Sequence, residues 1–193
     1  MTDIQQPAQA PQQLPVIPIR DGVVFPGTEV VLTFGRKKSI IAIEKAEATN
    51  KQIVLLMQKT SDANDPGPSD LYTIGSVVEI VRMFRNEEEI NALVRGISRV
   101  EVLSYESLDP YFEALVAQIP DTIIQNDEVK ALCNTIVGQL RRAINLGKAV
   151  DFLVFMNIMS GTSAIDLSNH VSNVIEIKPH EKQALLEITD VKV

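Results

Sequence analysis

With 193 residues, 45% hydrophobic and 22% charged, the chain can bury a sizeable core and reads as an ordinary globular protein. Its net charge of −7 argues against general nucleic-acid binding, which draws on an excess of Lys and Arg. No apolar run approaches the length of a membrane span, and the lone Cys133 excludes an internal disulfide framework, so a reducing cytoplasm is expected.

Residues 1–13 are rich in Gln, Pro and Ala, with neither a basic start nor an apolar h-region, and read as a disordered tail rather than a signal peptide. β-branched runs between turn residues predict strands over 14–19, 30–34, 53–58, 77–84, 90–94, 97–103 and 112–119. Pro15 and Pro18 lack backbone donors, which assigns the first of these to a sheet edge or a bulge. One helix is expected over 36–49, with Ile40 and Ile43 at helical spacing and Asn50 as its stop. Asn86-Glu87-Glu88 turns one strand into the next, and Gly96 interrupts a continuous strand pattern as a bulge or sharp bend would. Short strands around one helix imply a strongly bent sheet, in the manner of a partly open barrel.

After Pro120 the hydrophobic period changes. Val129, Leu132, Cys133, Ile136, Val137, Leu140 and Ile144 form a helical stripe that ends at Asn145-Leu146-Gly147. A second helix over 149–159 is apolar nearly all round and is expected to be buried. Ser163 or Thr162 can cap a third helix carrying Ile165, Leu167, Val171 and Val174. Pro179 suits the first turn of a fourth, with Glu181 near its positive end, expected to run on until it is cut off at Val193.

Catalytic signatures are missing. The Gly147-Lys148 pair has Arg142 where a phosphate loop needs its first glycine and Ala149 where it needs a hydroxyl, so no ATP site is read here. His170 and His180, ten residues apart, cannot share a helix face as a zinc pair; they read as a partly buried helix residue and a solvated one. Cys133 lies on the apolar stripe and reads as an inert core thiol. Gly161-Thr162-Ser163 lacks the nucleophile-elbow pattern.

The run Leu14-Pro15-Val16-Ile17-Pro18-Ile19-Arg20-Asp21-Gly22-Val23-Val24-Phe25-Pro26 resembles the opening of the N-terminal domain of the ATP-dependent Lon proteases. The likeness continues through Gly35-Arg36-Lys37-Lys38-Ser39-Ile40, Ala42-Ile43-Glu44, Gln58-Lys59, 70–77 and Leu93-Val94-Arg95-Gly96, in family order and spacing. It covers about residues 14–117 and thins to a helical pattern beyond. Three departures stand out: Val31 replaces a common proline, the hairpin at Asn86 is shorter and lacks Asp-Gly, and Arg95 replaces an acidic residue.

The resemblance implies an α+β fold: a β-rich PUA-like pseudo-barrel with one helix over 14–119, then a C-terminal helical bundle over 120–193. It implies a non-catalytic domain for substrate recognition and oligomer assembly, serving a serine protease that degrades damaged, misfolded and regulatory proteins. ATP and Mg would belong to the parent protease, and no cofactor or metal to this chain. The expected partners are unfolded proteins and other subunits of the same protein, with no specific nucleic acid and no membrane. A free-standing binding module is the first alternative; an RNA-binding PUA-like protein fits the acidic charge poorly. Arg36, Lys37 and Lys38, at the positive end of the first helix, are the assembly candidates beside the plainer reading of a solvated face. Met83, Phe84 and Arg85, at a strand end beside the charged turn, are the candidate substrate contacts.

Overall fold

In the computed structural model, residues 10–122, 126–147, 149, 155–156, 158 and 162–190 are described. Six strands and four helices carry the description: β1 (Gln12–Ile19), β2 (Glu29–Phe34), α1 (Lys37–Glu47), β3 (Gln52–Met57), β4 (Ile74–Arg85), β5 (Ile90–Ser107), β6 (Phe112–Ile119), α2 (Asp127–Asn145), α3 (Ala164–Val174) and α4 (Pro179–Glu187). The two expected strands 90–94 and 97–103 are one 18-residue strand, β5.

Five strands close a ring through the pairings β1–β3, β3–β4, β4–β5, β5–β6 and β6–β1, of which only β1–β3 is parallel. β2 stands outside this ring and pairs only with the first half of β5, so β2, β5 and β4 form an apron extending from it. The partly open barrel of the sequence reading is therefore a closed ring with an added edge strand.

Gly96 marks the place where β5 exchanges β2 for β6 as its neighbour. The Phe25–Thr28 turn crosses β5 there: Gly96 N–H donates to Thr28 O, and Gly27 N–H donates to Gly96 O, each at 2.9 Å. A Cβ at Gly96 would lie 2.1 Å from the carbonyl oxygen of Phe25, so only glycine permits the crossing. Ile97, beside it, is the extra residue of a bulge between β5 and β4.

β1 corrects the edge assignment made from its prolines, because it lies between β3 and β6. Its first half pairs with β6 over Gln12–Val16, and its second half with β3 over Val16–Ile19. Pro15 thus has no β3 partner and Pro18 no β6 partner. Each proline meets an open side of the strand, where the missing N–H costs no ladder bond. Gln12 and Gln13 belong to this strand and not to a disordered tail.

Two apolar clusters back onto β3, whose alternate residues serve both. Leu14, Val16, Val54, Leu56, Val77, Val100, Phe112 and Val116 fill the ring with contributions from all five of its strands. Ile53 and Leu55 face the other way and join Ile43, Ala42 and Ala46 of α1 to Phe34, Ile80, Ile90, Ala92 and Val94. Fully burying such an Ile or Leu side chain stabilises the fold by about 1.5–3 kcal/mol.

The expected C-terminal helical bundle is not present among the described residues. Asn126 caps α2 by accepting from Val129 N–H at 2.8 Å, and the expected stripe is helical, yet of α2 only Val129 is buried. Ser163 caps the start of α3, its hydroxyl accepting from Asp166 N–H at 3.1 Å. α4 stops at Glu187, because Ile188 is extended, and does not run on as expected. The apolar helix expected over 149–159 lies largely outside the described residues.

α3 and α4 are joined to the ring by a buried arginine. Arg99 of β5, 5% exposed, donates to Leu186 O at 2.9 Å and to Asn169 Oδ1 at 2.7 Å, and pairs with Asp121 at 2.5 Å. Burial lowers its pKa from the usual guanidinium value, with Asp121 opposing; burial raises Asp121, with Arg99 opposing. Gln183 of α4 adds a hydrogen bond to Ile74 O at 2.9 Å.

Candidate functional site

The apron has two unlike faces, and strand register decides which residue meets which. Val30, Val94 and Ile80 lie opposite one another across β2, β5 and β4, as do Leu32, Ala92 and Met83. Cross-strand partners project to the same side. These residues pack against α1 and its cluster, Met83 among them. The next rows, Val31–Leu93–Arg82 and Thr33–Asn91–Phe84, must therefore project to the other side. The hydrogen bond from Thr33 Oγ1 to Asn91 Oδ1 at 2.7 Å lies along that row.

That outer face carries large apolar side chains in the open. Val31 is 65% and Phe84 64% exposed, with half-buried Leu93 on the strand between them. Glu29 and Arg95 close one end with an ion pair at 2.7 Å. The arginine noted as a departure from the family pattern is thus engaged within the sheet. Val81 is a second bulge, unpaired between Ile80 and Arg82, and is also exposed.

The three residues expected to contact substrate consequently divide. Phe84 lies on the open face, while Met83 is half-buried against the core on the opposite side. The alternation of a strand thus sends these two neighbouring candidates to opposite faces. Arg85 is exposed and ion-paired with Glu44 of α1, which ties the hairpin to the helix. Val31 and Leu93 are outer-face residues that sequence reasoning missed.

The basic triplet divides as well. Arg36 turns into the protein, where its guanidinium donates to Gln58 Oε1 at 2.6 Å, Pro18 O at 3.2 Å and Ala63 O at 3.3 Å. Burial, with Arg20 nearby, lowers its pKa from the usual guanidinium value, and Asp65 opposes the shift. Gln58 is itself buried and donates to Thr60 O and Ala63 O, so the loop beyond β3 is fastened against β1. Lys38 sits 5.2 Å from the centre of the Phe112 ring and 4.0 Å from Asp65. Lys37 is exposed.

These residues border a cavity of about 360 Å³ between the start of α1, β1 and the fastened loop. Val16, Pro18, Pro66 and Phe112 give it apolar walls, with Lys37 and Lys38 beside them. Among the described residues no cluster of His, Cys, Asp and Glu could hold a metal ion, and no helix is long and apolar enough to cross a membrane. His170 is buried and His180 exposed, and Cys133 is half-buried on α2.

The profile of the ATP-dependent protease La (LON) substrate-binding domain matches residues 13–193. The Lon protease of Rhizobium meliloti is 33% identical over 198 residues, covering 100% of this chain and 24% of that protein. The Lon protease of Syntrophomonas wolfei is 32% identical over 184 residues, covering 95% of this chain and 23% of that protein. The chain thus spans about a quarter of the length of these relatives. Among solved structures, the N-terminal domain of Mycobacterium avium complex Lon protease superposes with a TM-score of 0.72 at 20% identity, covering 93% of this chain and 92% of that one. A Lon N-terminal domain protein from Xanthomonas campestris gives 0.61 at 15% identity, with the same coverage. The likeness to these structures establishes the shared fold, and the sequence matches establish descent. The chain belongs to the family of Lon substrate-binding domains.

Proposed function

We propose that the chain captures unfolded or damaged polypeptides for a Lon-type ATP-dependent protease, and that it does so with the outer face of the apron. The carrying observation is the contrast between the two sides of one three-stranded sheet. α1 covers one side, while on the other Val31 and Phe84 are exposed and Leu93 is half-buried between them among the described residues. Exposed apolar side chains on a sheet can hold apolar segments of many sequences, because dispersion and burial are not directional. Arg82, Thr33 and Asn91 share the face and keep it wettable when it is vacant. Binding at one copy need only be weak, since several copies presented together gain by multivalency.

In this reading the chain holds its substrate and does no chemistry on it, the hydrolysis of ATP and of peptide bonds belonging to other modules. The test is a chemical-shift map of the chain titrated with a permanently unfolded protein. Shifts should concentrate on residues 31, 82, 84 and 93. Shifts concentrated on α3 and α4, with the apron silent, would overturn the reading.

A further inference from the structure

We infer that the cavity at the start of α1 is a second polypeptide site, distinct from the apron, which takes a chain's C-terminus ending in an apolar or aromatic residue. The inference rests on the reading of the chain as a polypeptide-capturing domain. At about 360 Å³ the cavity lies at the small end of the range for ligand pockets, about 300–1,000 Å³, with room for a terminal residue rather than a folded surface. Its walls are apolar: Val16 and Phe112 pair directly across β1 and β6, and Pro18 and Pro66 flank them. Those walls are held in place before any ligand arrives, because Arg36 clamps β1 to the 58–63 segment through Pro18 O, Gln58 Oε1 and Ala63 O. Such preorganisation lowers the cost of binding.

The charge beside those walls selects the occupant. The lining holds three cationic side chains, Arg36, Lys37 and Lys38, against the single anion Asp65, on a chain whose net charge is −7. Arg36 is committed to the clamp and Lys38 lies between Asp65 and the Phe112 ring, which leaves Lys37 facing outward. α1 has no side-chain cap and no acidic residue in its first turn. The backbone N–H groups of Lys37, Lys38 and Ser39 meet no acceptor among the described residues. A helix start of this kind favours an anion. An apolar side chain with a carboxylate on the same residue fits both halves of the site, and within a polypeptide only the last residue carries both. A lone phosphate would leave the apolar walls unused, and an internal apolar segment would leave the cations unused.

The experiment titrates the full chain with two labelled ten-residue peptides that share one sequence ending in Leu. One carries a free C-terminal carboxylate and the other a C-terminal amide. The free acid should bind about tenfold tighter or more, as expected for charge-assisted hydrogen bonds to an anion, and should shift the amide signals of residues 37–39. Lys37→Glu should abolish that preference without moving the melting temperature, and Phe84→Ser should leave it intact. Equal affinity for acid and amide, or a preference that survives Lys37→Glu, would overturn the site. Failure of both peptides while an unfolded protein still binds the apron would overturn the terminal site and leave the apron reading standing.

Discussion

Met83 and Phe84 are neighbours in one strand and belong to opposite regions of the molecule. The inner face of the apron is part of a packed core in which α1 meets three strands. The outer face has the same strands, the same hydrogen bonds and comparable side chains, yet none of the described residues covers Val31 or Phe84. The difference lies in register rather than composition, since shifting a strand by one residue exchanges its two faces. Apolar residues on the inner side hold the fold together, and those on the outer side are available for binding.

The sharpest way to break this division is to disturb the point where the apron leaves the ring. Gly96→Ala should destabilise the chain by about 3 kcal/mol or more, because overpacking against an immovable backbone carbonyl cannot be relieved by rotamer changes. Denaturant unfolding would measure it, and a loss within experimental error would mean that the Phe25–Thr28 crossing is loose. Next in size, Met83→Ala should cost about 2 kcal/mol, the low end for large-to-small core changes, since the side chain is only half-buried.

Arg36 and Lys37 give a smaller contrast of the same kind. Arg36→Ala removes hydrogen bonds to Gln58 and to two carbonyls and should cost about 1–3 kcal/mol. Lys37→Glu should change stability by no more than about 0.5 kcal/mol. Thermal melts of the two single variants would separate them. Similar losses in both would show that the triplet acts as one unit.

Much of this architecture is legible in the residues. Phe112–Ile119 is a strand with the expected bounds, the α2 stripe is helical, and Ser163 and Pro179 stand where helix starts need them. Closure of the ring is not legible, because pairing between β1 and β6 is set by residues about a hundred positions apart. Pro15 and Pro18 mislead for a related reason: a strand can be interior as a whole and still have an open side at each proline. The burial of Arg99 is not legible either, since nothing local foretells that Leu186 and Asn169 will return to meet it. The face of Phe84 is hidden by the bulge at Val81, which breaks the period-two pattern of β4. Sequence alternation fails here at the place where the proposed binding face is made.

The smallest expected change in stability carries the largest expected change in binding. Removing apolar surface from the outer face should move stability by no more than about 0.5 kcal/mol per substitution, as for surface positions generally. The most direct test is therefore the affinity of a Val31→Ser, Phe84→Ser double variant for a permanently unfolded protein, compared with the parent chain by fluorescence anisotropy. The account predicts that binding falls at least about tenfold, a loss of about 1.4 kcal/mol, while the thermal transition stays near that of the parent. Undiminished binding by a stably folded double variant would contradict it.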